Sequence, residues 1–388
     1  MIGIMACAVA LPLLQSIPLP PTIWQGLPGR ALVAQIDQVA GTGQLWRPLS
    51  LAPAETVNAA GSLALPVAIL ILGIQLAPRR QAALVALPVV MGMLGALLGM
   101  VQILGAHDNT LYLFDITNKG SPVGVFANRN HQAVALSCLI PLGAAALHLV
   151  WPEHWPAKAR SAAALLGLVV ILVLVLVTGS RAGLLTSLVA TALVVFLGPK
   201  MDGRSPYSGA IQRRFLPAIF SAFVAGIGLV AVWQGRDLAL RRLLETAPQD
   251  DLRAEILPTL WRIVQEYGFW GTGIGSFERV YQIHEPAHLL GPAYVNHAHN
   301  DWLELLITGG RPAILLCFAT AFLLTLRFSQ LWRSYRVDEM QALRWAGFIC
   351  IVILSLASFS DYPLRTPYLA GLFVLCLVWF FSPAIQRA

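Results

Sequence analysis

The chain has 388 residues, of which 57% are hydrophobic and only 12% are charged, and its mean hydropathy is +0.69. This composition excludes an ordinary soluble protein and indicates a membrane protein. The formal net charge of +7 fits basic loops that set membrane topology, and we expect no nucleic-acid partner.

Ten apolar runs predict the transmembrane helices. An α-helix needs roughly 20 apolar residues to cross the hydrocarbon core of a bilayer, and the longer runs approach that length with almost no charge. In chain order the runs cover residues 1–14 (a short one), 61–77, 81–105, 131–150, 162–177, 182–198, 215–233, 312–326, 345–359 and 367–381. We therefore expect an all-α, polytopic integral membrane protein with about ten helices.

The basic connections between these runs predict which side each loop faces. Lysine and arginine collect in "APRRQ", "WPEHWPAKARS", "GPKMDGRSPYSGAIQRR" and "RFSQLWRSYRVDEMQALR", and the positive-inside rule assigns such short loops to the cytoplasm. Both termini are then cytoplasmic, and the outward loops are residues 15–60, 106–130, 178–182, 234–311 and 360–366. We expect one membrane domain, residues 1–388, in which 234–311 forms one large outer loop with short amphipathic helices.

Four polar clusters fall on the outward side: "GVFANRNH", "TGSRAG", "NHAHNDW" and "FSDYPLRTP". Because they come from non-adjacent segments, we expect a site assembled between helices at that surface. Arg181 lies between two apolar runs, where a charge is costly unless it reaches water or a partner. It either snorkels from the turn or binds a ligand, for which Gly179 and Gly183 would leave room.

A second arginine, Arg253, lies on a segment with helical periodicity. The apolar positions spaced by three or four are Leu252, Ile256, Leu260, Ile263, Val264 and Tyr267. We expect this amphipathic segment to lie along the membrane interface with its polar face towards water. Arg253 alternatively pairs with Glu255 or Asp250 in solvent, and Pro258 warns of a kink or a break.

The glycine-rich stretch "GFWGTGIGSFERVY" does not follow a strand, so it is a weak signal for dinucleotide binding. It is either an anion-binding concavity of backbone N–H groups or an ordinary turn. His297 and His299, two residues apart, are too close for a helical zinc pair, and no cysteine is near. They are either structural, with Asn300 or Asp301 as a helix cap, or groups for proton transfer near neutral pH.

The stretch "HAHNDWLELLITGG" resembles the signature of the O-antigen ligase and polymerase superfamily, and His299 is the histidine that matches. The segments "TGSRAG", "DLRAEILPTLW" and "GTGIGSF" resemble the family's serine–arginine turn, its arginine-then-tryptophan block and its glycine-rich block. The segments "GVFANRNH" and "DYPLRTP" resemble its asparagine-containing block and its last outer turn. The similarity spans about residues 120–380.

The resemblance implies an enzyme of the bacterial inner (cytoplasmic) membrane. Such enzymes transfer a glycan from undecaprenyl diphosphate to an acceptor hydroxyl at the periplasmic face, with no metal ion and no cofactor. Arg181 and Arg253 match the family's arginines and would bind the diphosphate, and His299 would be the general base. We expect a single displacement with inversion, because no second paired carboxylate indicates a covalent intermediate.

Six residues are expected in supporting roles: His297, Asn300, Asp301, Asn128, Asn130 and Asp361. Asn128 and Asn130 would hydrogen-bond sugar or diphosphate, or Asn130 only caps the helix that follows. Either Asp361 or Asp301 would orient the imidazole of the base. His297 is a spare histidine or a partner of the base.

The identity of the acceptor stays open between three activities. A ligase uses the lipid A core, a polymerase uses another repeat unit, and an oligosaccharyltransferase uses a protein side chain. From a different class, the alternative is a membrane transporter of an anionic glycan or lipid-linked substrate, although the sequence has no internal symmetry. A zinc-dependent membrane hydrolase is a third interpretation.

Overall fold

The computed structural model describes residues 1–104, 111–114, 120–151, 156–202, 248–291, 294–333, 338 and 340–383. The predicted apolar segment 215–233 lies outside these residues, as do parts of the predicted outer loops 106–130 and 234–311. The strands in the described residues are β1 (Pro18–Leu19) and β2 (Arg47–Pro48), which pair antiparallel.

Helices make up most of the described chain. In order they are α1 (Ile2–Gln15), α2 (Pro21–Trp24), α3 (Ala31–Val39), α4 (Pro53–Ser62), α5 (Ala64–Gln75), α6 (Pro78–Ala83), α7 (Ala86–Leu104), α8 (Arg129–Val150), α9 (Ala157–Thr178), α10 (Arg181–Asp202), α11 (Pro248–Tyr267), α12 (Phe277–His284), α13 (Asp301–Arg333), α14 (Gln341–Ala357) and α15 (Pro367–Phe381). Short 3₁₀ turns cover Ala287–Leu289 and Pro363–Arg365.

The apolar helices match the predicted runs. In the described residues, five stretches are long and apolar enough to cross a membrane: α4 with α5, α6 with α7, α8, α9 and α13. Shorter apolar helices are α1, α10, α14 and α15. The prediction of an all-α, polytopic membrane protein is confirmed.

The chain divides into two compact units. The first comprises Met1–Ala68, Pro248–Ser334 and Ser358–Tyr362, and the second comprises Ile69–Ala247, Tyr335–Ala357 and Pro363–Ala388. In the second unit, α8 packs against α7, α9, α10 and α14. A methyl group on Gly183 would lie 2.2 Å from Cβ of Ala133, so this glycine allows α10 to approach α8. The expectation that Gly183 leaves room for a ligand is therefore wrong, because Ala133 fills that space.

In the first unit, the apolar stripe of α11 is buried in a protein core. Its Ile256, Leu260 and Ile263 are at most 1% exposed and pack with Phe277 and Tyr281 of α12. The periodicity correctly predicted a helix, and Pro258 lies within it without ending it. The expected partner was wrong, because this stripe faces protein rather than the membrane interface.

The longest helix among the described residues, α13, is kinked at Gly310, where φ is 63° and ψ is −161°. Pro312 has no N–H, so the carbonyl of Thr308 lacks its usual donor four residues ahead. Two long-range donors replace it: the backbone N–H of Gly273 at 2.9 Å and Nε2 of Gln15 at 3.1 Å. The glycine-rich stretch therefore satisfies backbone groups that the kink leaves open.

Close packing between the glycine-rich stretch and the kink of α13 requires glycine at both. A methyl group on Gly310 would lie 2.2 Å from the carbonyl oxygen of Phe269, and one on Gly271 would lie 2.7 Å from N of Gly310. The N–H of Thr272 donates to the carbonyl of Ile307 at 3.0 Å. Because protein acceptors take up these N–H groups, the stretch is a packing element rather than an anion-binding concavity or a loose turn.

A buried arginine supports the same stretch. Arg30 is 1% exposed, and Nη2 of its guanidinium donates to the carbonyls of Leu49 at 2.6 Å and Gly271 at 3.3 Å. It also lies 5.7 Å from the centroid of the Tyr267 ring. Burial lowers the pKa of Arg30 to about 10, so the guanidinium is still charged at neutral pH.

Candidate active site

One buried carboxylate joins the two residues of the first unit that the resemblance singles out. Nδ1 of His299 lies 3.4 Å from Oδ1 of Asp361, and Oδ2 of Asp361 lies 3.7 Å from Nη2 of Arg253. The Asp361 side chain is 2% exposed, whereas those of His299 and Arg253 are 24% and 23% exposed. A buried carboxylate needs such partners, and both partners still reach the surface of the unit.

The turn that carries Asp361 is fixed to the start of α13. The backbone N–H of Asp301 donates to the carbonyl of Ser358 at 2.8 Å, and Oγ of Ser358 donates to Oδ2 of Asp301 at 3.1 Å. Oδ1 of Asn300 accepts from the N–H of Leu303 at 3.0 Å, which makes Asn300 the helix cap. Of the two acids considered for orienting the imidazole, Asp361 contacts His299, whereas the Asp301 carboxylate bonds to Ser358.

The backbone of His299 is unusual. Its φ of 49° makes it the one non-glycine residue with positive φ among the described residues. A non-glycine residue in the left-handed region is held there by its surroundings at some cost in energy, and such positions are frequent at active sites. Here the adjacent helix cap and the Asp361 contact hold it, so its ring is directed by the fold.

Two residues that the sequence did not single out complete the cluster. Glu304, 1% exposed at its side chain, places Oε1 3.1 Å from Nδ1 of His297. The ring of Tyr362 lies 4.2 Å from the His297 ring and 5.2 Å from the His299 ring, measured between centroids. An acid in the first helical turn after an asparagine cap was a signal for Glu304. For Tyr362, the sequence signal was its position directly after Asp361.

The remaining predicted residues lie in the second unit. Oδ1 of Asn128 accepts from the N–H of Asn130 at 2.8 Å, so Asn128, not Asn130, caps α8. Arg181 is exposed at the start of α10. The turn before it is held by Oγ of Ser180, which accepts from the N–H of Gly183 at 3.0 Å.

A polar cleft of about 520 Å³ opens on another side of α11. Its lining residues are Thr259, Arg262, Glu266, Ile283, His284, Glu285 and Pro286. Nε2 of His284 lies 3.0 Å from the Tyr267 hydroxyl, and Nδ1 lies 3.7 Å from Oε2 of Glu266. Burial lowers the pKa of His284, and the Glu266 carboxylate partly opposes this. The cleft does not include the Asp361 cluster.

Within the part of the chain that the structure describes, no group of three histidine, cysteine or acidic side chains is placed to hold a metal ion. The family model of O-antigen ligase matches residues 166–318. Over this range the sequence is similar to O-antigen ligases. The matched range includes Arg181, Arg253 and His299, whereas Asp361 follows it in sequence.

The resemblance to the O-antigen ligase and polymerase superfamily is thus confirmed. Together with the apolar helices, the match to the O-antigen ligase family model supports a membrane enzyme that transfers glycans. The family implies, in general terms, a lipid-linked glycan donor and a glycan acceptor. Among curated proteins, none matches the chain.

Proposed function

We propose that the protein transfers a glycan from undecaprenyl diphosphate to an acceptor hydroxyl at the periplasmic face of the inner membrane. It would act as an O-antigen ligase, with the lipid A core as acceptor, or as a surface polysaccharide polymerase, with another glycan as acceptor. The observation that carries the proposal is the shared carboxylate of Asp361, which joins a histidine to an arginine within one cluster.

In this mechanism His299 is the general base. With Nδ1 directed at Asp361, the proton of a neutral imidazole sits on Nδ1 and Nε2 is free to accept one. The acceptor oxygen attacks the anomeric carbon with a lone pair, its proton passes to Nε2, and the bond from carbon to the diphosphate oxygen breaks towards the diphosphate. Asp361 stabilises the imidazolium that forms. One displacement of this kind inverts the anomeric carbon.

Arg253 would bind the diphosphate leaving group. A guanidinium offers charge-assisted, bidentate hydrogen bonds to phosphate oxygens, which stabilise the charge that develops as the bond breaks. Arg181 is proposed as a second diphosphate ligand on the basis of the family resemblance. A diphosphate bound by arginines is already a good leaving group, and we propose that the reaction needs neither a metal ion nor another cofactor.

The supporting residues have different proposed roles. Asp361 orients the base, Asn300 caps α13 and Asp301 fixes the turn that carries Asp361. Asn128 and Asn130 are proposed, from the family resemblance, to hydrogen-bond sugar or diphosphate. These assignments follow the hydrogen bonds above and the matching family blocks.

We also propose the topology that basic loops predict. Residues 1–388 form one membrane domain with both termini in the cytoplasm, and residues 234–311 belong to the periplasmic side. This arrangement suits the donor, because its polyprenyl chain lies in lipid while its sugars lie in water.

A cellular test follows from the two candidate acceptors. In the native cell, His299→Ala is expected to leave single-repeat glycans if the protein is a polymerase, or long chains on the lipid carrier if it is a ligase. The matched control is His288→Ala, since His288 is exposed in a 3₁₀ turn. An unchanged surface glycan with His299→Ala, at normal protein level, would contradict the proposed function.

A further inference from the structure

The second histidine–carboxylate pair has no role in the mechanism above. Oε1 of Glu304 faces Nδ1 of His297 at 3.1 Å, and Oε2 accepts from the backbone N–H of Ala298 at 2.9 Å. Burying a carboxylate to 1% exposure is costly unless its oxygens are hydrogen-bonded. Glu304 therefore fixes both the ring of His297 and the backbone between the two histidines.

The geometry leaves one nitrogen of His297 available. Since Nδ1 faces a carboxylate, the neutral ring carries its proton there, and Nε2 is a hydrogen-bond acceptor. The His297 side chain is 28% exposed. Within the described residues, neither His297 nor His299 has a hydrogen-bond partner at Nε2.

The two imidazoles are neighbours on one aromatic ring. Tyr362 contacts His297 at 4.2 Å and His299 at 5.2 Å between centroids. Two carboxylates therefore orient two adjacent rings through the same atom, Nδ1. The pairs differ in one respect, because Asp361 also faces Arg253 while Glu304 also bonds to Ala298. His299 thus shares Asp361 with Arg253, the proposed diphosphate ligand, and His297 lies beside His299.

We propose that Nε2 of His297, oriented by Glu304, accepts a hydrogen bond from a second hydroxyl of the acceptor sugar and so presents the attacking hydroxyl to His299. This inference rests on the proposed function. A sugar ring carries several hydroxyls, which suit two adjacent acceptor nitrogens. A site built to bond a hydroxyl discriminates against an analogue that lacks it. His297 is then a specificity-determining residue, and Glu304 is a positioning residue.

The test compares His297→Ala with loss of the hydroxyl itself. The probe is an acceptor oligosaccharide cut from the native cell's own surface glycan, with a panel of its monodeoxy analogues and undecaprenyl-diphosphate oligosaccharide as donor. We expect His297→Ala to raise the KM for the acceptor about 10-fold, as for one lost hydrogen bond. For wild type, one monodeoxy analogue should have a KM raised by the same factor. Replacing His297 with alanine should raise the KM for that analogue no further. The pH profile of kcat should stay that of wild type.

Two further measurements separate the possible failures. Acceptor binding without donor, measured by calorimetry, should weaken by the same factor in His297→Ala and stay unchanged in His288→Ala. Glu304→Gln keeps an acceptor for Ala298 but turns its NH₂ towards Nδ1 of His297. This favours the tautomer whose Nε2 cannot accept a hydrogen bond, so we expect a rise in KM close to that of His297→Ala. Equal KM and equal binding in wild type and His297→Ala would overturn the inference while leaving transfer intact. A wild type that neither transfers nor binds would overturn the proposed function together with it.

Discussion

Replacing Asp361 with asparagine tests whether the shared carboxylate serves the base. The side chain keeps its size and can still accept from the N–H of Tyr362, which now donates to Oδ1 at 3.0 Å. Two properties are lost. A neutral amide does not stabilise an imidazolium, and the NH₂ that replaces Oδ2 offers the Arg253 guanidinium no acceptor.

The distances set the size of the expected effect. Replacing the aspartate of a well-formed histidine–aspartate pair with asparagine lowers kcat by about 10⁴-fold in the serine protease template, where the imidazole takes the wrong tautomer. Here the two contacts of Asp361 are 3.4 Å and 3.7 Å, longer than ordinary charged hydrogen bonds. We therefore expect Asp361→Asn to lower kcat by about 10²- to 10³-fold, or about 2.7–4.1 kcal/mol in activation free energy.

The assay follows release of undecaprenyl diphosphate by purified protein. The matched control is Asp37→Asn, because Asp37 is also a buried acid but pairs with Arg47 rather than with an imidazole. Thermal unfolding of each variant reports whether it is folded. A kcat for Asp361→Asn within about 3-fold of the Asp37→Asn value would show that the carboxylate does not serve the base. A raised donor KM with unchanged kcat would show that Asp361 serves Arg253 instead.

Three further predictions concern the diphosphate ligand, the kink and the polar cleft. Arg253→Lys is expected to weaken donor binding about 10-fold because it loses the bidentate fork; isothermal titration should show no such loss for Arg262→Ala on the same helix. Gly310→Ala places a methyl group 2.2 Å from a backbone oxygen and should destabilise the protein by about 3 kcal/mol or more, which a lowered Tm would show. The control Gly143→Ala, whose methyl group meets nothing within 4 Å, should leave the Tm unchanged. The lowered pKa of His284 means that the folded state binds its proton less readily than the unfolded state, whose pKa is near 6.5. Its contribution to stability is therefore present above that pH and lost as the pH falls below it. The drop in Tm between pH 8 and pH 5.5 should thus be smaller in His284→Gln than in wild type. An equal drop in the two proteins would contradict this prediction.

Hydropathy and helical periodicity predicted most of the helices, because a membrane-crossing run and a spacing of three or four are local properties of the sequence. The partner of a helix face is not local. The stripe of α11 reads the same whether it faces lipid or protein, and here it packs on α12. The role of the glycine-rich stretch was equally hidden, since Gly271 meets Gly310 across 39 positions of chain and only the folded kink brings them together.

The site was predicted unevenly for the same reason. His299 and Arg253 were found through motif blocks, and Asp361 was named as one of two candidates for orienting the base. The choice between Asp361 and Asp301 depends on which carboxylate the turn directs at Nδ1, which only coordinates supply. Glu304 was not singled out, because its contact with His297 depends on the backbone turning back before the cap.

We propose that His299 is the base of a glycosyl transfer that needs no metal ion. The most direct measurement is turnover of undecaprenyl-diphosphate oligosaccharide by the purified protein in lipid nanodiscs, with a glycan acceptor and EDTA present, for wild type, His299→Ala and His288→Ala. We predict turnover for wild type and His288→Ala, and a loss of about 10²- to 10⁴-fold for a folded His299→Ala. Equal turnover in His299→Ala would exclude His299 as the base, and turnover that EDTA abolishes in wild type would show that the transfer needs a metal ion.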